Sequence, residues 1–247
     1  MAARMNKPFL SIIIPAFNEA NRLPDTLRRI NTYLSKQNFV SEIIVAENGS
    51  TDGTYTIAND MQGEICCLTV LHENRRGKGW AVRQGMIKAR GDYRFICDAD
   101  LSMPIEEIAK FMPPLELSAP IAIGSREAPG AVRYNEPQYR HFVGRAFNWL
   151  VQLMLLPGLS DTQCGFKLFR EDTVNAIFPR LTVFGWTFDV EALFIAKKLG
   201  FKIVEIPIHW HHHSHSTVRV LPDSIRMGLD LIKIRLNDLL GRYHASP

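Results

Sequence analysis

The sequence predicts an α/β fold in which a mainly parallel sheet is flanked by helices. Two observations lead to this prediction. Short apolar runs, often β-branched, alternate with segments of helical periodicity through the first half of the chain, and this alternation is typical of βαβ units. Glycine and proline are spread evenly over 247 residues, without a repeat or a low-complexity linker, so we expect a single domain.

The first half contains a series of predicted strands that are separated by helices. The strands are Leu10–Ile14, Glu42–Val45, Ile65–Leu71, Tyr93–Cys97 and Pro120–Gly124. The predicted helices are Leu23–Lys36, Gly77–Ala89 and Ile105–Leu115. A further helix is expected to begin in the turn-rich segment Asn48–Gly53. Crossover connections of this kind join parallel strands, so the carboxyl ends of the strands meet at one edge of the sheet. In open α/β sheets, ligands bind at that edge.

The second half is less regular. A polar loop that carries arginines is expected over Ser125–Gln138, and loops of that length in a compact domain are often functional. The predicted elements after it are helices over Tyr139–Leu156, Asp189–Leu199 and about Pro222–Leu240, and strands over Phe166–Phe169 and Lys202–Ile206. The last helix is amphipathic, and one of its faces carries Ile225, Leu229, Ile232, Leu236 and Leu239.

The composition is that of a globular protein. Hydrophobic residues make up 46% of the chain and charged residues 22%, and the formal net charge is +4. That charge permits anionic substrates or a membrane surface, but it is far from the basic clustering of nucleic-acid-binding proteins. The four cysteines lack metal-ligand spacing, and we expect free thiols in a reducing compartment. We find no signal peptide and no run of roughly 20 apolar residues, so we expect a cytoplasmic protein, either soluble or peripheral on a membrane.

The most informative motif is Asp98-Ala99-Asp100, which follows a predicted strand directly. Both carboxylates therefore emerge at the edge of the sheet where ligands bind. Hard divalent cations prefer oxygen ligands and often bridge protein carboxylates to substrate phosphates. The alternative is a turn with a helix cap nearby.

Three further polar loops follow the other strands of the first half. They are Pro15–Glu19, Glu47–Asp52 and Arg76–Gly79. Any one of them alone is more typical of an ordinary loop, but together they converge on the edge that carries Asp98 and Asp100. The Gly-Lys-Gly sequence that opens a helix suits a diphosphate, through backbone N–H groups and one positive charge. It is not a Walker loop.

These loops resemble the successive motifs of inverting family-2 glycosyltransferases with the A-type, Rossmann-like fold. Asp161–Phe169 and Glu205–Trp210 are similar to the corresponding runs of the dolichyl-phosphate (polyprenyl-phosphate) β-glucosyltransferase branch, close to the mannosyltransferases. The resemblance covers residues 8–240. It implies a nucleotide-sugar and metal-binding half over 8–125 and an acceptor-binding half over 126–240.

The resemblance also implies roles for single residues. In the donor half, Asp98 and Asp100 would hold Mg²⁺ or Mn²⁺, and the residues that would contact the nucleotide sugar are Pro15, Phe17, Glu19, Glu47, Asp52 and Lys78. Two departures from the family pattern leave the metal shell and the choice between uridine and guanosine open. Glu47-Asn48 stands where the family usually has two aspartates, and Ser102 stands where many mannosyl enzymes have a glutamine ligand.

The implied reaction is transfer of glucose from UDP-glucose to a polyprenyl phosphate. Such an acceptor is already mostly deprotonated at neutral pH, so no general base is needed and we expect direct displacement with inversion. Its phosphate needs cations, and the candidates are Arg126, Arg133, Arg140, Arg145, Lys167 and Arg219, of which we rank Arg126 and Lys167 first. Asp161, Gln163 and Trp186 would border the same site. Asp189 is either an acceptor-side carboxylate or a helix N-cap.

Several alternatives remain open from the sequence. The donor could be GDP-mannose, or the acceptor a hydroxyl group with Asp189 as the essential base, or the chain could be a non-catalytic nucleotide-binding module. The histidines between His209 and His215 favour a mobile acceptor-side loop over a zinc site. The apolar helix from Phe142 to Leu156 suits core packing as well as a lipid interface. Basic residues of the last helix could meet anionic headgroups, or they could pair with Asp230 and Asp238.

Overall fold

The computed structural model describes residues 7–112, 119–212 and 220–244, with side chains in the last range from residue 223 onward. A seven-stranded sheet forms its centre, in the order β3-β2-β1-β4-β7-β5-β8. The strands are β1 (Leu10–Ala16), β2 (Ser41–Glu47), β3 (Leu68–His72), β4 (Tyr93–Ile96), β5 (Ile121–Ser125), β6 (Val132–Tyr134), β7 (Lys167–Arg170), β8 (Ile203–Pro207) and β9 (His209–His211). The helices are α1 (Leu23–Leu34), α2 (Thr54–Asp60), α3 (Lys78–Lys88), α4 (Gln138–Met154), α5 (Glu171–Ile177), α6 (Phe188–Lys198) and α7 (Val220–Leu239).

The core lies on both faces of this sheet, as the alternation of residues along β1 shows. Ile12 and Ile14 join the buried cluster that contains Leu27 of α1, whereas Ile13 joins the opposite cluster with Val82 of α3. All these side chains are fully buried. A strand covered on both faces needs apolar residues at every position, which explains the uninterrupted isoleucine run. The predicted α/β fold with a flanked, mainly parallel sheet is therefore confirmed.

One strand departs from the predicted parallel arrangement. β7 runs antiparallel between β4 and β5, with Phe95 opposite Leu168 and Ile96 opposite Lys167. A reversed strand enters the sheet at the edge where its parallel neighbours end. The reversal therefore brings the residues just before β7 beside the residues just after β4, and this places Gly165 against Asp98.

Some element boundaries also differ from the prediction. Residues Ile105–Phe111 form a 3-10 helix rather than the start of a longer α-helix, and Cys66 and Cys67 precede β3 instead of lying in it. α5 was not predicted, nor was the small parallel sheet of β6 and β9. The short β6 and β9 strands carry too few residues for an alternation signal.

The two longest helices, α4 and α7, contact each other and leave apolar side chains on the surface. The predicted face of α7 exists, but it points outward, because the buried side is formed by Met227, Leu231 and Ile234. We call the exposed set the outer apolar face; it consists of Tyr139, Phe142, Trp149 and Leu153 of α4 and Ile225, Leu229, Ile232, Leu236, Leu239 and the following Leu240. Among the described residues, no helix has the length and apolarity that crossing a bilayer requires.

Candidate active site

A cleft of about 790 Å³ opens at the carboxyl ends of the central strands. The loops that follow β1, β2, β3, β4 and β5 all contribute to it. The residues with a predicted role that line the cleft are Pro15, Phe17, Glu19, Lys78, Asp98, Asp100, Arg126, Arg133, Arg140, Arg145, Asp161, Gln163, Trp186 and Asp189. Residues far apart in the chain thus share one cavity, as the convergence of parallel strand ends predicts.

Asp98 lies where the two halves of the cleft meet. One of its oxygens is 2.6 Å from the Lys78 ammonium, and a Cβ added at Gly165 would lie 2.6 Å from its Cγ. The absence of a side chain at Gly165 is therefore what lets the reversed segment close over this carboxylate. Burial raises the pKa of Asp98, but the charge and hydrogen bond of Lys78 outweigh that effect and hold the pKa below its ordinary value.

Asp98 and Asp100 fit a hard divalent cation that takes the rest of its ligands from a substrate. Asp100 accepts a hydrogen bond from the Ser102 amide at 2.9 Å, which fixes the side chain beside Asp98. In the described ranges, no group of three or more acidic, histidine or cysteine side chains has metal-binding geometry. Two carboxylates completed by phosphate oxygens are the usual arrangement for Mg²⁺ at nucleotide sites.

The Gly77–Lys78–Gly79 loop is held against the segment before α6. Gly77 has a φ of +134°, and its position leaves no space for a Cβ beside the Phe184 carbonyl. The Gly79 amide donates to that same carbonyl at 3.0 Å. This contact brings Trp186 next to Lys78, whose ammonium lies 5.4 Å from the centre of the indole ring. The loop is therefore fixed at the cleft before any ligand binds.

Two residues with a predicted donor role do not line the cleft. Glu47 is fully buried; it accepts a hydrogen bond from the Ser50 amide and pairs with His72 at 2.6 Å. Asp52 accepts hydrogen bonds from the amides of Thr54 and Ala20. Both carboxylates therefore organise the loops after β1 and β2, and Asn48 occupies the position in the cleft wall that was expected for Glu47.

On the side of the cleft that was predicted to bind the acceptor, Arg126 and Asp161 form a two-pronged ion pair. The Arg126 Nε and Nη2 atoms lie 2.7 and 2.9 Å from the two Asp161 oxygens, and the Arg126 amide also donates to Asp161. Burial raises the pKa of Asp161, but Arg126 outweighs burial and lowers the pKa to about 2. Glu205 of β8 accepts hydrogen bonds from the amides of Ser160 and Asp161, which fixes this loop.

Lys167 is not at the surface of the cleft, in contrast to the prediction that it would bind phosphate. Only 1% of its side chain is exposed, and its ammonium lies 3.1 Å from an oxygen of Asp189. The reversed strand turns Lys167 into the protein interior. Asp189 lies in the first turn of α6 after the N-cap residue Thr187, and it makes no capping hydrogen bond, so the N-cap alternative is wrong. Burial raises the pKa of Asp189 despite the nearby lysines.

A sequence model described as glycosyl transferase family 2 matches residues 11–178, which is more than half of the chain. The chain belongs to this family. It is 35% identical to the dolichyl-phosphate beta-glucosyltransferase of Saccharomyces cerevisiae, over 96% of this chain and 77% of the relative. It is 32% identical to the Homo sapiens protein of the same name, over 96% of this chain and 78% of the relative. The predicted family, and with it the prediction of a glycosyltransferase enzyme, is confirmed.

Solved structures support the fold of this glycosyltransferase. The mannosyl-3-phosphoglycerate synthase of Rubrobacter xylanophilus matches with a TM-score of 0.70 at 17% identity, over 97% of this chain and 77% of that one. Glucosyl-3-phosphoglycerate synthase of Mycobacterium tuberculosis, in complex with Mn²⁺, UDP-glucose and phosphoglyceric acid, matches with a TM-score of 0.64 at 18% identity, over 97% and 81%. At this identity the likeness concerns the fold alone.

The glycosyltransferase cleft also contains residues for which no individual role was predicted. Arg22 pairs with Glu19, and Arg76 lies 5.5 Å from the centre of the Phe17 ring. Burial raises the pKa of Glu19, although Arg22 partly offsets this effect. Trp210 lies beneath Arg126, with the guanidinium 5.4 Å from its ring. The Arg22–Glu19 pair spans three residues, whereas the contacts of Arg76 with Phe17 and of Arg126 with Trp210 join residues far apart in the chain and therefore have no local pattern.

Two sequence predictions, the phosphate role of Arg219 and the loop of histidines from His209 to His215, concern a part of the chain that the structure describes incompletely. Arg219, His213 and His215 lie outside the described residues. Tyr134 stacks on His211 at 4.4 Å between ring centres, and Trp210 lies against His212. Within the described part of the chain, the remaining histidines form no metal-binding group, so the described geometry gives no support for a zinc site.

Proposed function

We propose that this glycosyltransferase transfers glucose from UDP-glucose to a dolichyl-type polyprenyl phosphate and inverts the configuration at the sugar carbon. The observation that carries the proposal is the 30–35% identity, over most of the chain, to several proteins named dolichyl-phosphate beta-glucosyltransferase. The geometry is compatible with it, because carboxylates and lysine meet at one end of the cleft and arginines gather at the other.

At the donor end, Asp98 and Asp100 would hold Mg²⁺ or Mn²⁺, which when bound would stabilise the negative charge that develops on the UDP leaving group. Lys78 would add a positive charge beside the same diphosphate, because its ammonium already lies in the cleft wall next to Asp98. Phe17 and Arg76 would hold the nucleotide base and ribose. Since the loop around Lys78 is fixed by Phe184, little reorganisation is needed when the donor binds.

At the acceptor end, the phosphate oxygen itself would attack the sugar carbon. A phosphate monoester has a second pKa near 6 and is mostly dianionic at neutral pH, so no residue has to remove a proton. The position of Asp189 is compatible with this, because one of its oxygens lies 3.1 Å from the buried Lys167 ammonium and is already engaged in that ion pair. We therefore assign Asp189 to positioning Lys167 at the base of the cleft rather than to proton transfer.

The outer apolar face would lie on the cytoplasmic surface of a membrane, where the lipid acceptor resides. Phe142 and Leu239 are each 75% exposed, which is unusual for large apolar side chains outside an interface. This observation favours the lipid interface over core packing for α4. Of the basic residues on α7, Arg235 pairs with Asp238, whereas Arg226 is exposed beside the apolar residues.

The proposal is tested by incubating the purified protein with a short polyprenyl phosphate and Mn²⁺, with UDP-glucose and GDP-mannose offered in parallel. Mass spectrometry should find a glucosyl-phosphoryl lipid from UDP-glucose only, and NMR should show the β-anomer. Asp100→Asn should abolish the product. Asp60→Asn, which removes an exposed carboxylate of α2, is the control and should leave product formation unchanged. A mannosyl lipid would overturn the sugar, an α-linked product would overturn inversion, and UDP release without a lipid product would overturn the acceptor.

A further inference from the structure

The arginines of the cleft fall into two groups according to their partners. In the described part of the chain, most of them face a carboxylate or a ring. The pairs are Arg22 with Glu19, Arg126 with Asp161, Arg133 with Glu127 and Glu136, Arg145 with Glu127, and Arg76 over Phe17. A ligand phosphate would have to compete with these existing partners.

Arg140 and Arg226 form the second group. Both line the cleft, yet neither guanidinium has an ion pair, a hydrogen bond or a ring contact within the described ranges. Arg140 lies in the first turn of α4 and Arg226 near the start of α7, and these two helices contact each other. Since neither charge has a protein partner among the described residues, an anion that binds these arginines displaces no existing ion pair.

Apolar residues adjoin both of these arginines. On α4, Val143 and Phe147 follow Arg140 at helical spacing and also line the cleft; on α7, Met227 follows Arg226 and does the same. On α4 the outer apolar face adjoins Val143 and Phe147, whereas Met227 belongs to the buried side of α7 and contributes its 9% exposed surface to the cleft. The surface therefore changes from the positively charged Arg140 and Arg226 in the cleft to apolar side chains outside it. A ligand that matches it carries a phosphate joined to an apolar chain.

We propose that the acceptor enters the cleft between α4 and α7, with its phosphate bound by Arg140 and Arg226 and its first isoprene units packed against Val143, Phe147 and Met227. This inference rests on the proposed function and specifies its acceptor subsite. The inference assigns phosphate binding to Arg140 and Arg226 instead of Lys167 and Arg126, the two residues ranked first from the sequence. Lys167 is buried, and two nitrogens of the Arg126 guanidinium already donate hydrogen bonds to Asp161. The two unpaired arginines bind phosphate without breaking an ion pair.

The test measures KM for a long polyprenyl phosphate and for UDP-glucose in Arg140→Gln and Arg226→Gln. Each variant should raise the acceptor KM roughly tenfold or more, as expected for the loss of a charge-assisted hydrogen bond, and should leave the donor KM unchanged. Arg29→Gln removes an exposed arginine of α1 outside the cleft and is the matched control. Thermal melting of each variant establishes that the fold is retained.

A second arm distinguishes a lipid phosphate from a soluble one. Glycerol 3-phosphate, which has no hydrocarbon chain, should neither accept glucose nor compete with the lipid at millimolar concentration. Its efficient glucosylation would overturn the lipid subsite. An unchanged acceptor KM in both arginine variants, or an effect confined to kcat, would overturn the inference while the wild-type product still supports the proposed function. A wild type that glucosylates no lipid phosphate would overturn both.

Discussion

Replacement of Gly165 by alanine tests whether the contact of this residue with Asp98 sets the geometry of the active site. The added Cβ would lie 2.6 Å from the Asp98 Cγ, whereas an ordinary contact is 3.4 Å or more. Gly165 has no positive φ, so the substitution introduces no backbone strain and its effect reports on this contact alone. The Asp98 carboxylate must move by about 1 Å, away from the position in which it meets Lys78.

A displacement of about 1 Å at a reacting centre typically costs about 100-fold in rate, and overpacking of this kind costs about 1–3 kcal/mol in stability. We therefore expect kcat/KM for UDP-glucose to fall about 100-fold in Gly165→Ala, together with a higher Mn²⁺ concentration for half-maximal activity. The assay is UDP release at varied Mn²⁺, with urea unfolding in parallel.

Gly63→Ala is the matched control for this prediction, because a Cβ at Gly63 would meet nothing within 4 Å. It should leave activity and metal dependence unchanged. If Gly165→Ala retained kcat/KM and Mn²⁺ dependence within about twofold of the wild type, the assignment of Asp98 as a metal and donor ligand held in place by Gly165 would be refuted.

Three further predictions concern stability and membrane contact. The pKa of Asp161 is about 2 in the folded protein against 3.8 ordinarily, so its charge contributes about 2 kcal/mol to the free energy of unfolding above pH 5. This contribution is lost as the pH falls towards 2. The difference in unfolding free energy between wild type and Asp161→Asn, measured in urea, should therefore shrink by about 2 kcal/mol at low pH. Lys167→Met and Asp189→Asn should each cost about 3 kcal/mol by leaving one buried charge unpaired, whereas the double variant should cost less than the two single variants together; strict additivity in denaturant melts would contradict the pair. Leu229→Ser should weaken binding to anionic vesicles in flotation without lowering the melting temperature; unchanged flotation would exclude a role of this side chain in vesicle binding.

The half of the chain expected to bind the donor could be predicted because its strands and loops are marked by patterns of neighbouring residues. Each strand is a short β-branched run, and each functional loop follows such a run directly. Parallel connectivity then brings Phe17, Lys78 and Asp98 to one edge without any knowledge of side-chain contacts. The same rule was not sufficient for Glu47, since a buried carboxylate that binds the Ser50 amide and a cleft residue look alike in sequence.

The acceptor half could not be predicted in the same way. The direction of β7 depends on how it pairs with β4 and β5, and nothing in the run Lys167–Arg170 encodes a reversed direction. This direction decides that Lys167 faces the interior. The helix α7 presents a similar problem, because Leu229 and Leu231 belong to two different apolar stripes, and periodicity alone does not tell which of them faces the core.

Pairing, rather than residue type, separates the structural charges of this cleft from those suited to a ligand. Arg126, held by Asp161, and Lys167, held by Asp189, have lost the freedom to follow a substrate, because moving either would leave a buried carboxylate alone. Arg140 and Arg226 have no ion-pair partner among the described residues, so their movement leaves no carboxylate unpaired. On the proposed function, the paired residues would preserve the shape of the cleft, while the unpaired ones would bind the acceptor phosphate and release the charged lipid product after every turnover.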